Sequence, residues 1–158
     1  MKKYLAAATG GHDLRLLAAS VATGVVVAVV VAMFEALTQP VLLEWLLHQS
    51  LVVLMVAPVI GISAAHLILR YLGRGTDGST SDEYIRVFHD RNPRLPIIEL
   101  PGKLLAGVAT IGMGGAVGLE GPSIYAGSSL GLWIHEKTSG FLQRDEARLL
   151  LTAGAAAG

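Results

Sequence analysis

Between Leu104 and Ile134, a stretch of thirty-one residues, the only formal charge is Glu120, and it sits in Gly118-Leu119-Glu120-Gly121-Pro122. A carboxylate at membrane depth is costly and rare, so its first meaning is ion or proton movement. Gly107, Gly112, Gly114, Gly115, Gly118, Gly121, Gly127 and Gly131 crowd the stretch and Pro122 falls at its middle, which argues against one uninterrupted helix. The expectation is a broken-helix segment over about 102–138, two helices meeting near Glu120. A proline in the first turn of the second helix costs no hydrogen bond, because the amides there have no intrahelical acceptor. Those amides would offer an anion about half an elementary charge of positive potential. Discontinuous helices bind ions at midplane depth in this way. Gly118, Leu119, Glu120 and Gly121 are the candidate anion-binding positions. When ionised, Glu120 can fill the positive pocket itself; once protonated it has no reason to stay, and an external anion can replace it. Glu120 is therefore the candidate for both gating and proton transfer.

The bulk composition fits such a segment. Apolar residues make up 53% of the chain and charged residues 15%, with mean hydropathy +0.58, whereas a soluble domain carries roughly 25% charged residues. Net charge is zero and the pI is near 7.0, so no basic field points to nucleic acid. There is no cysteine, which excludes disulfides and thiolate chemistry. Leu5 to Ala8 is too short for a secretory core of about 7 to 15 residues, and no cleaved signal is expected.

Two runs are long enough to span a bilayer. Leu16 to Phe34 is nineteen residues without charge, and Trp45 to Leu69 is twenty-five, broken by polar groups such as His48, Gln49, Ser50 and His66; about 20 are needed. Pro40 is expected to kink the first helix rather than end it. A hairpin of helices over about 14–47 and 51–72 follows. The first run is rich in valine, but lipid leaves a lone strand's backbone unpaired and so selects the helix. Gly73 to Glu83 reads as a Gly-rich loop opening a short helix over about 80–89, with Ser79, Thr80 or Ser81 as its cap. Asn92-Pro93 and Leu95-Pro96 break the chain again, and a further helix is expected to start over about 145–158. Lys2, Lys3 and Arg15 lie at the N-terminal end of the hairpin and Arg70, Arg74, Arg86, Arg91 and Arg94 at or beyond its other end, while its turn has no basic residue. The N-terminus is thus expected to be cytoplasmic, and a bacterial inner membrane is the expected location. The fold class is all-α, a single transmembrane domain over residues 1–158.

Gly118-Leu119-Glu120-Gly121-Pro122 resembles the Gly-Lys/Arg-Glu-Gly-Pro motif of the CLC chloride channels and chloride/proton antiporters. Lys103, seventeen positions earlier, stands where that family has a buried lysine. Tyr125-Ala-Gly-Ser-Ser-Leu-Gly131 and Thr152-Ala-Gly-Ala-Ala-Ala-Gly158 are similar to its continuation. The resemblance implies the first part of an inverted-repeat anion transporter with broken helices meeting at midplane, homodimeric in the full-length parent. It implies Glu120 as gate, Lys103 as a field-tuning charge and Ser79 as an anion-coordinating hydroxyl. Chloride or a similar small anion, protons and membrane lipid are the implied partners, with no nucleic acid, organic cofactor or metal. Two departures stand out: Gly78-Ser79-Thr80-Ser81-Asp82-Glu83 replaces Gly-Ser-Gly-Ile-Pro, and Leu119 replaces a basic residue, which should weaken anion attraction. The chain stops at Gly158 and is expected to be an N-terminal fragment that does not transport alone.

Plainer readings compete with these. Glu120 could be a structural carboxylate bonded to helix amides, and Ser79 a cap. Lys103 could be an interfacial anchor whose stem snorkels. Gly114/Gly118, Gly127/Gly131 and Gly154/Gly158 have the spacing of close helix packing. The five histidines, His12, His48, His66, His89 and His135, lack metal-ligand spacing. Gly127-Ser128-Ser129-Leu130-Gly131 matches a hydrolase elbow in letters, yet it falls inside an apolar helix, so no enzyme is expected. The alternative function is a non-transporting membrane anchor or interaction fragment.

Overall fold

The computed structural model describes residues 11–76, 78–90, 93–138 and 146–158, without the side chains of 11–13. Lys2, Lys3, Arg91, Asn92, Asp145 and the His12 side chain therefore lie outside the described residues. Every regular element among those described is helical: α1 (Gly11–Ala36), α2 (Leu51–Tyr71), α3 (Ser81–His89), α4 (Leu100–Gly112), α5 (Glu120–Thr138) and α6 (Ala147–Ala157). The chain is all-helical.

Beyond Ala36, α1 continues through a π-helical stretch, Leu37–Leu43, and a last α-helical turn, Glu44–Leu47. Pro40 lies inside the π stretch. A proline supplies no amide and its ring crowds the carbonyl four residues back, and the wider π turn absorbs both without stopping the helix. The continuous apolar helix Leu14–Leu47 has 34 residues. At 1.5 Å per residue that is about 51 Å, against a hydrocarbon core of about 30 Å. The exposed Glu35 and Glu44 can thus lie beyond the hydrocarbon.

The two long helices carry their bulk on the outside. On α2, Leu51, Val52, Met55, Val59 and Ile62 are exposed, while Ala57, Gly61 and Ala65 are buried. On α1, Leu17, Val21, Val25 and Val29 are exposed, while Thr23 and Val27 are buried. Water would reverse this pattern, because it drives large apolar side chains inward. Lipid tails are as apolar as leucine, so helices meet instead through small residues that bring backbones close. Gly61 shows it: a Cβ there would lie 2.6 Å from the Ala109 carbonyl oxygen of α4. Buried hydroxyls on α1 are satisfied within their own helix, Thr23 donating to Ala19 O at 2.8 Å and Thr38 to Phe34 O at 2.6 Å.

The centre of the molecule is α5, buried almost continuously from Pro122 to Ile134. It packs against α6 through glycine: a Cβ on Gly127 would collide with the Gly154 carbonyl, and one on Gly131 with the Leu150 carbonyl. Gly158 approaches the Ser123 carbonyl in the same way. The pair Gly114/Gly118 behaves differently and corrects the packing reading for that pair. Both lie in the connection between α4 and α5, Gly114 at φ +84°, where glycine takes a left-handed turn at no steric cost. A Cβ on Gly118 would meet only the Glu120 amide nitrogen, at 3.9 Å.

Candidate functional site

The break between α4 and α5 is built by local hydrogen bonds. The amides of Gly114 and Gly115 donate to Ile111 O at 2.9 Å and Thr110 O at 2.8 Å, closing the end of α4. After a turn in which Val117 N donates to Gly115 O at 2.8 Å, α5 begins at Glu120. Its first returning amide is that of Ser123, which donates to Leu119 O at 3.1 Å. The amides of Glu120 and Gly121 precede that bond and have no acceptor in their own helix, and Pro122 has no amide to satisfy.

A second helix start lies against this one. The N-cap of α3 is Thr80, whose side chain makes no capping bond. A Cβ on Gly121 would lie 2.6 Å from Thr80 Oγ1 and 3.5 Å from Ser81 Oγ. The positive ends of α3 and α5 are therefore neighbours. Asp82 and Glu83 in the first turn of α3 oppose the potential of its positive end.

Lys103 belongs to the same neighbourhood. It is 4% exposed, so it does not snorkel, which corrects the anchor reading. Its Nζ donates to Ser79 O at 2.7 Å, pairs with the Glu83 carboxylate, and lies 4.2 Å over the Tyr125 ring. A charge held away from water needs such partners, and here a carbonyl, a carboxylate and a ring face supply them. Thr80, Lys103, Gly107, Thr110, Val117 and Pro122 are among the walls of a cleft of about 210 Å³ between α2, α4 and the start of α5. Sequence reasoning did not single out Glu83 as the partner of Lys103. The two are 20 residues apart on different helices, and no spacing rule connects them.

Glu120 itself is exposed, as is Gly118, with Leu119 and Gly121 partly buried. The Glu120 carboxylate makes no hydrogen bond or ion pair with the described residues, so it is not held by helix amides as a structural carboxylate would be. Ser79 is partly buried; its carbonyl serves Lys103, and it borders a hollow of about 110 Å³ with Asp82, Glu83 and Arg86. Ser129 lies in mid-helix with its hydroxyl buried beside the Tyr125 hydroxyl one turn earlier. A nucleophile needs an exposed strand-to-helix elbow and a positioned base, and Ser129 has neither. No group of three or more His, Asp or Glu side chains able to hold a metal occurs among the described residues.

Two helices long and apolar enough to cross a membrane stand beside a pair of helices interrupted between Gly112 and Glu120. The family model for voltage gated chloride channels matches residues 60–158, more than half of the chain, and the chain belongs to that family. No curated protein and no solved structure matches it.

Proposed function

We propose that the chain forms one wall of the anion pathway of a CLC-type chloride channel or chloride/proton antiporter, with Glu120 as the protonatable gate. The observation that carries this reading is the start of α5 at Glu120, beside the start of α3 at Thr80 and Ser81. Free amides of two helices converge there on a place an anion can occupy. The amides of Leu119, Glu120 and Gly121 would donate to the anion, with Gly118 leaving room for its approach. Ser79 is the hydroxyl nearest in role, and Lys103 supplies a buried cation close by. Ionised, Glu120 competes with the anion; protonated, it yields.

On this reading the protein acts as a homodimer in a bacterial inner membrane, embedded in lipid, with its N-terminus cytoplasmic. Chloride efflux from liposomes containing the full gene product tests it: the expected result is chloride flux above that of empty liposomes. A second reading, a non-transporting membrane anchor, is favoured by the exposure of Val117, Gly118 and Glu120. Absence of flux in that assay selects it.

A further inference from the structure

We infer that Glu83 sets how strongly this site attracts anions, by acting as the fixed counter-charge of Lys103. The inference rests on the anion-pathway reading above and deepens it. Lys103 is the buried cation of the described region, its side chain 2% exposed, and it shares the cleft beside α5 with Thr80 and Pro122. Left unpaired, such a charge would act over the start of α5 through a medium that screens it poorly. It is paired instead: Glu83 meets Nζ from the first turn of α3, its own side chain 14% exposed.

Glu83 also stands at the positive end of α3, where a carboxylate opposes the helix dipole. Its negative charge therefore cancels two sources of anion attraction, the ammonium and the helix start. Two further groups around Nζ, the Ser79 carbonyl and the face of Tyr125, orient the ammonium without formal charge, and the Glu99 carboxylate acts on Tyr125 more weakly than Glu83 does. Arg86, one turn along α3, also approaches the Glu83 carboxylate, at 3.3 Å, but it is largely exposed and screened by solvent. Glu83 is thus a positioning and specificity-determining residue, acting on the anion through the net charge of a buried pair.

The test compares Lys103→Met with the double variant Glu83→Gln/Lys103→Met in the full gene product, reading chloride flux from liposomes as a function of chloride concentration. Both lack the cation and differ only in the charge at position 83. The expected result is an apparent KM for chloride higher in Lys103→Met, on the order of tenfold for a unit charge acting across several ångströms of protein, and a return towards the wild-type value in the double variant. Glu83→Asp, which keeps the charge, should match wild type. A merely structural role would lower the yield or maximal rate of the variants and leave KM alone. Equal KM values in Lys103→Met and the double variant overturn the inference. Wild-type liposomes that pass no chloride overturn the anion-pathway reading, and this inference with it.

Discussion

The Thr80 hydroxyl and the Gly121 backbone are in van der Waals contact, so close that a Cβ on Gly121 would lie 2.6 Å from Thr80 Oγ1. This contact seats the start of α5 on the start of α3. Gly121→Ala should push aside the Thr80 hydroxyl, a side-chain tip that makes no capping bond, at a cost of about 0.5–1.5 kcal/mol. Thr80→Ala removes the clashing oxygen, since the Thr80 Cβ is at an ordinary 3.7 Å. Thermal unfolding in detergent should show most of the loss recovered in the double variant. Strictly additive losses would mean that the contact does not hold the two starts together.

Glycines in this chain divide by what surrounds them, and two of them make a matched pair. Gly24 on α1 has nothing within 4 Å of an added Cβ. Gly24→Ala should leave stability unchanged or raise it by about 0.5–1 kcal/mol, because alanine loses less backbone freedom in a helix. Gly127→Ala meets the Gly154 carbonyl, part of a backbone that cannot turn aside. It should separate α5 from α6 and lower stability by about 1–3 kcal/mol. Comparing melting temperatures of the two variants checks both signs at once, and equal shifts would contradict the glycine seam.

The all-helical class and the family were legible in the sequence because both are written in contiguous stretches. Apolar length from Leu16 to Phe34 bespeaks a span, and five neighbouring residues around Glu120 carry the family motif. The break between α4 and α5 falls among Gly112, Gly114 and Gly115, short of Pro122, because these residues encode it locally. What joins distant residues was not legible. Lys103 meets Glu83 and Gly121 meets Thr80 only once separate helices pack. Gly114 and Gly118 were misread because four-residue spacing looks alike in a helix seam and in a turn, and only the positive φ of Gly114 separates them. That the chain stays helical through Pro40 was an expectation of the sequence, but the π-helical form of this stretch depends on how the turns around it repack.

The Lys103–Glu83 pair should respond asymmetrically to loss of either member. Glu83→Ala strands an ammonium whose side chain is 2% exposed, and removing one partner of a buried pair typically costs about 3–5 kcal/mol. Lys103→Met fills the same space with an apolar chain and strands a carboxylate that is 14% exposed. That carboxylate can keep water and reach Arg86, so the loss should be less than half as large. Chemical unfolding in detergent measures the difference. Equal losses would place the two members in equally dry surroundings, against the geometry.

Glu120 allows function to be separated from stability. Its carboxylate is exposed and makes no bond to the described residues, so Glu120→Gln should alter stability by no more than about 0.5 kcal/mol. Transport should respond very differently. With Glu120 as the proposed gate, protonation ends its competition with the anion, so chloride flux should rise on acidification. One titrating proton gives a slope of at most about tenfold per pH unit. Glutamine keeps the shape and removes the charge, so the Glu120→Gln variant should be fast at every pH and flat across the range. Paired melting curves and liposome flux over a pH series decide the matter: a flat wild type, or a variant that keeps the wild-type slope, would remove Glu120 from the gate. A variant that loses much of its stability would make it a structural carboxylate instead.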